Sequence, residues 1–184
     1  GEGFLALDDK RYNFQEGTIL HVPYRSPHQL FNTGTMPVVY LGAMAWHLES
    51  FIYMGRMEQI EDCGPNNPIT IDSFPPQESQ YWHGDGRRIS MHQDQYVLVE
   101  NPGHGRAYSL AGTGREGSAI SANGFKMTSA SISSIFVERP QSKSHSHAHP
   151  EAYLYCLQGK GYSLIDGRRY DWEKGDAVHI PPGM

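Results

Sequence analysis

Residues 159–181 read GKGYSLIDGRRYDWEKGDAVHIP, and residues 1–23 read GEGFLALDDKRYNFQEGTILHVP. Set one above the other at an offset of 158, the two stretches align without a gap. Eight of the 23 pairs are identical: Gly1, Gly3, Asp8, Arg11, Tyr12, Gly17, His21 and Pro23 with their partners. Others keep their character, such as Phe14 with Trp172 and Val22 with Ile180. Self-similarity at a fixed spacing marks one supersecondary unit used twice.

Each copy has the physics of a β meander. Asp166-Gly167 lies between apolar alternations, where a two-residue hairpin turn needs φ > 0 at both positions. Asp8-Asp9-Lys10 occupies the same place in the first copy. A second turn follows at Gln15-Glu16-Gly17 and at Glu173-Lys174-Gly175-Asp176. A short apolar strand comes next, Ile19 to Val22 or Ala177 to Ile180, and proline stops it.

Between the copies the pattern is weaker. Pro37 to Leu41 predicts a strand, and the apolar spacing from Ala43 to Met57 predicts a helix limited by Gly42 and Gly55. Residues 61–90 are turn-rich, Gln95 to Glu100 predicts a strand, and residues 101–124 hold six glycines and read as loop. Ile135-Phe136-Val137 predicts a strand leading into SHSHAHPEAYLYC, residues 144–156. Gly112 to Gly117 matches G-x-G-x-x-G, but no solid strand precedes it and Gly124 interrupts any helix after it, so no dinucleotide site is expected.

Composition narrows the classes. The chain has 184 residues, a formal charge of −5 and a pI near 6.0. It shows no basic stripe for nucleic acid and no apolar run long enough for a membrane-spanning helix. Two cysteines, Cys63 and Cys156, make no disulfide framework, so a cytoplasmic setting is expected. Twenty glycines, twelve prolines and eleven tyrosines favour an all-β fold of short strands and tight turns.

The histidine run carries the chemistry. His145 and His147 are two apart, so on an extended strand both imidazoles leave one face and can share an ion. His149 is in phase with them, which leaves His147 with His149 as an alternative pair, and a solvated histidine loop as the bland alternative. Imidazole suits Fe, Zn, Cu, Ni and Mn alike. His21 and His179 match across the repeat at a strand end and read as packed, hydrogen-bonded residues.

His145-Ser146-His147, then four residues, Ala152, six residues and Gly159 resemble the first conserved motif of the cupin superfamily. Gly175, Pro181 and Gly183 resemble the opening of its second motif. Gly17, Pro23, Arg25, His28 and Asn32 stand at the positions of that second motif in the other copy. Three positions depart: Arg139 and Arg25 stand where the family has glycine, and Ala152 stands where it has a glutamate ligand. Glu151 is adjacent, but neighbours on a strand face opposite ways, so Glu151 and Ala152 cannot both face a lumen.

The resemblance implies an all-β cupin fold, a double-stranded β-helix or jelly-roll barrel, present here as two partial barrels joined by a linker. Residues 1–60 would be the second half of a first barrel, 61–125 an irregular connection, and 126–184 the first half of a second. The histidine that ends the second motif would fall two places beyond Met184. A competing arrangement folds both halves into a single barrel of permuted order. The implied metal ligands are His145, His147 and His28, with His149 and Glu151 as alternates. Without the glutamate the set is three-histidine. This resembles bicupins of the gentisate 1,2-dioxygenase type, which implies Fe(II), with Mn, Ni or Zn as other metals. The implied activity is cleavage of a hydroxylated aromatic acid, so the expected partner is a small aromatic carboxylate. A non-catalytic storage-type bicupin, and a metallocupin isomerase or decarboxylase, remain open. Half-barrels leave strand edges that favour a homo-oligomer.

Overall fold

A computed structural model of the chain describes residues 1–8, 10–44, 46–53, 58–60, 88–96, 98–101, 105–110, 125, 134–138 and 151–184. The chain divides into two compact units, Gly1–Glu138 and Arg139–Met184.

In the first unit β1 (Gly3–Leu7) and β2 (Lys10–Phe14) form an antiparallel hairpin, in register from Gly3 opposite Phe14 to Leu7 opposite Lys10. Asp8 takes the left-handed conformation that the tight turn requires, at φ 48°. The chain then leaves the sheet as β3 (Ile19–Leu20) and returns as β4 (His28–Asn32) on the other edge of β1. The sheet order is β2-β1-β4. A six-residue helix, α1 (Trp46–Phe51), follows.

β3 pairs with a strand about seventy residues downstream, β5 (Ser90–Met91), with Ile19 opposite Met91. After a single 3-10 turn, β6 (Leu98–Asn101), β7 (Gly105–Ser109) and β8 (Ser134–Val137) form a second antiparallel sheet in that order. Alternation along β3 places two cores. Leu20 and Val22 pack against buried Leu5, Leu7, Tyr12 and Ile89, while Ile19 packs with buried Met91, Leu110 and Phe125. A strand covered on both faces needs a continuous apolar run, which Ile19 to Val22 supplies apart from His21. Each large side chain so buried contributes about 1.5–3 kcal/mol.

The second unit repeats the meander. β9 (Ala152–Tyr155) precedes the hairpin of β10 (Lys160–Ile165) and β11 (Arg168–Glu173), and β12 (Ala177–Ile180) returns to pair with β9. Its ladder runs from Lys160 opposite Glu173 to Ile165 opposite Arg168, and from Gly161 opposite Trp172 onward it is the register of β1 and β2 moved by 158 residues. Asp166 also sits at φ 48°. In the next turn Gly17 and Gly175 sit at φ 81° and 97°, and Thr18 N and Asp176 N donate to the carbonyls of Gln15 and Glu173. The side chains of Thr18 and Asp176 accept from the N–H groups of Gln15 and Glu173 in return. The repeat is therefore one of backbone geometry as well as of letters.

One difference between the copies is topological. β3 pairs with β5 as β12 pairs with β9: Ile19 faces Met91 and Ala177 faces Tyr155. The partner strand precedes the meander in the second unit and follows it in the first.

Sequence and structure differ in the connecting region. Pro37 to Leu41 joins no ladder, and Val39, Tyr40 and Leu41 are exposed. β propensity without a neighbouring strand to pack against does not make a strand. The helix is shorter than its apolar stripe, because Tyr53 turns left-handed at φ 60° two residues after it. Regular structure extends into 61–125, where β5, β6, β7 and buried Ile89 lie. β6 overlaps the strand expected at Gln95 to Glu100, whereas β7 lies in the stretch 101–124 expected to be loop. β5 pairs with β3 and β7 with β8 across long separations and over short runs, so local periodicity carries little trace of β5 and β7. Strands dominate and helix is scarce, as an all-β cupin requires. The described strands form five small sheets of two or three strands, without a closed barrel among them.

Candidate metal centre

His28 opens β4 directly opposite Leu7. Opposed residues of an antiparallel pair share a face, so His28 projects on the side that carries Leu5 and Leu7. Leu30 and Asn32 lie on that face as well, and the β4 part of it is exposed. His28 Nδ1 lies 3.0 Å from the Ser26 carbonyl oxygen. A carbonyl can only accept, so Nδ1 carries a proton, and in the neutral tautomer with that proton the lone pair is on Nε2. This is the tautomer in which a histidine binds a metal while a backbone carbonyl orients it. Asn32 braces the loop after β4. Its amide donates to the Met36 carbonyl and its Oδ1 accepts from Gly34 N–H.

The turn ahead of His28 is unusual. Ser26 N–H donates to the Pro23 carbonyl at 3.1 Å, and Met184 N–H to the Pro181 carbonyl at 3.3 Å, so both copies make this turn. Its third residue is left-handed in both: Gly183 at φ 81° and Arg25 at φ 61°. Glycine adopts that conformation freely. A residue with a Cβ held there costs about 1 kcal/mol or more. The guanidinium of Arg25 lies over the Tyr24 ring, 5.7 Å from its centroid.

His145, His147 and His149 lie outside the described residues. Glu151 lies just beyond them, and its carboxylate accepts from His179 Nε2 at 3.0 Å and from the Tyr153 hydroxyl at 3.5 Å. His179 and Tyr153 are opposite each other in the ladder and stack at 4.6 Å. Glu151 thus belongs to the Tyr153–His179 face of β9 and β12. Ala152, Leu154, Val178 and Ile180 occupy the other face, which corresponds to the Leu20 and Val22 face of β3. An open concavity of about 480 Å³ lies by β11 and β12, with Tyr170, Trp172 and Val178 in its lining.

His21, equivalent to His179, makes an edge contact with Phe125 at 5.7 Å and bonds the Arg88 carbonyl through Nδ1. His92, which carries no motif, braces the turn after β2. Its Nε2 accepts from the Gln15 amide and its Nδ1 meets Thr18 Oγ1, both at 3.1 Å. Sequence spacing holds no signal for that role. Among the described residues no three metal-ligating side chains converge.

Comparison with known proteins agrees with this architecture. Residues 135–184 match the family described as Cupin domain. With a fold made mostly of strands, this supports placing that segment in the cupin superfamily, whose members commonly bind metals. The chain is also similar to an uncharacterized protein of Methanocaldococcus jannaschii, 37% identical over 38 residues. That stretch is 21% of this chain and 30% of the archaeal protein, so it spans less than a third of the relative's length. No solved structure matches.

Proposed function

We propose that the protein is a tandem metallocupin that cleaves a hydroxylated aromatic acid. His145 and His147 supply two ligands of one centre, and His28 is the third-position histidine of the other barrel. The observation that carries this reading is the state of His28. It lies on the face of its sheet that carries Leu5 and Leu7, at the exposed β4 edge, and its Nδ1–H is directed to the Ser26 carbonyl, which leaves Nε2 for a metal. The engagement of Glu151 by His179 and Tyr153 favours a three-histidine set over one with a carboxylate. A neutral ligand set leaves a divalent ion its full charge, which suits an anionic, chelating substrate. Fe(II) is the proposed ion, with Mn, Ni or Zn as alternatives; bound Fe(II) supplies redox chemistry toward dioxygen. The chain's own contribution is to orient the imidazoles and to shelter the substrate in the half-barrel. A homo-oligomer and a cytoplasmic setting are part of the same proposal.

Metal analysis and oxygen uptake test it. The intact protein should carry iron and consume oxygen with gentisate, and H145A and H147A should lose both. Bound iron with no oxygen uptake on any aromatic diol acid removes the dioxygenase reading. Absence of bound metal after reconstitution removes the metallocupin reading.

A further inference from the structure

We infer that the free edge of β12 is a docking site for an extended segment of a partner protein, added as a strand with aliphatic residues at alternate positions and a cationic residue after them. The support is a contrast between the two units. In the first, His21 N–H donates to the Ile89 carbonyl at 2.8 Å, in the ladder in which Ile19 faces Met91. Residues two apart turn their backbone groups the same way, so Ile19 and His21 both bond to β5. In the second, Cys156 N–H donates to the Asp176 carbonyl at 3.0 Å. Val178 and Ile180 therefore turn their backbone groups to β9 as well. Ala177 and His179, the equivalents of Ile19 and His21, turn theirs to the other edge. Among the described residues no strand pairs with that edge, and both residues are exposed.

The strand that occupies this edge in the first unit shows what fits it in the second. Ile89 is fully buried against Leu7 and Tyr12. The equivalents of those two, Ile165 and Tyr170, line the open concavity of about 480 Å³ together with Trp172 and Val178. An aliphatic side chain opposite His179 would fill it as Ile89 does. The incoming strand would also satisfy the outward backbone groups of Ala177 and His179. One position differs in charge. Thr18 Oγ1 meets His92 Nδ1 at 3.1 Å, and the equivalent of Thr18 is Asp176, a carboxylate that makes the same bond within its turn. The segment seated on β12 therefore carries a lysine or arginine at the place of His92. A second copy of this chain does not supply it, because its matching strand is seated on its own β3, with Ile89 and Ser90 buried. The occupant is a separate protein.

The test uses the intact protein with two synthetic peptides as probes, residues 87–95 of this chain and the same peptide carrying H92R, and reads binding by fluorescence anisotropy. Both peptides should bind, the H92R form about threefold more tightly. Binding should slow hydrogen exchange at the amides of Ala177 and His179. A177P removes an outward N–H and spares the β9 ladder, and it should weaken both peptides about tenfold. D176N keeps an oxygen for the Glu173 N–H while removing the charge, and it should abolish only the preference for the H92R peptide. Peptides that do not bind, that bind A177P as tightly as wild type, or that keep the H92R preference in D176N overturn the inference. A wild-type dimer that becomes monomeric with A177P assigns the edge to a second copy and overturns it too. So does a monomer whose Ala177 and His179 amides are protected before peptide is added, because the chain then covers its own edge.

Discussion

The hairpins β1–β2 and β10–β11 share a register, a left-handed aspartate at the turn and a following glycine turn, yet their environments are opposite. Tyr12 is fully buried, whereas its equivalent Tyr170 is 46% exposed. Leu5 is fully buried; its equivalent Ser163 accepts a hydrogen bond from Trp172 Nε1 at 3.1 Å. The contrast shows that turn chemistry and alternation suffice to define a hairpin. What the hairpin contributes to stability depends on what covers it. The residue before β5, Ile89, packs against the first hairpin from about eighty residues away.

The comparison can be broken first at the buried face. L5A should destabilise the protein by about 2–5 kcal/mol, and Y170A by less than about 1 kcal/mol, since its ring is largely in water. Urea denaturation of both variants decides this, and equal losses would mean that the second hairpin has a cover of its own. The repeated glycines sharpen the point. A Cβ on Gly3 would meet the Phe31 carbonyl oxygen and the Phe14 ring, while on Gly161 it would meet the Trp172 ring, which can give way. G3A should therefore cost about 3 kcal/mol and G161A about 1 kcal/mol, read by the same method.

Smaller effects test the turns and the surface. G183A should cost about 1 kcal/mol, because alanine cannot adopt φ 81° freely. Tyr96 offers a pH test. Burial pushes its hydroxyl up to about 12, and the hydroxyl donates to the Gly17 carbonyl at 2.9 Å. A folded-state value above the ordinary 10 means this contribution is present below pH 10 and is lost as pH rises toward 12. Y96F should flatten the alkaline fall in Tm over that window. The smallest change is expected from E151Q. Its bond to His179 lies between side chains 50% and 46% exposed, and such pairs contribute well under 1 kcal/mol.

The backbone around His28 was legible because it is local; His145, His147 and His149 lie outside the described residues. The spacing from Gly17 through Pro23 to His28 encodes a turn, a strand start and a ligand-type histidine within twelve residues. The departure at Arg25 was visible as a letter. Its left-handed backbone, shared with Gly183 in the sister turn, came only with the structure. His92 and Ile89 were silent, since each acts on residues about seventy positions away and neither belongs to a periodic run.

By itself the sequence determined the repeated meander, its turns and the faces of its strands. Those follow from φ/ψ preferences of single residues and from two-residue alternation, which act within a few positions of the chain. Only the tertiary structure decided which copy is buried, that β5 rather than an upstream strand partners β3, and that Glu151 turns to His179. Those outcomes depend on contacts between residues far apart in sequence, where apolar area and hydrogen-bond partners are supplied by the fold as a whole.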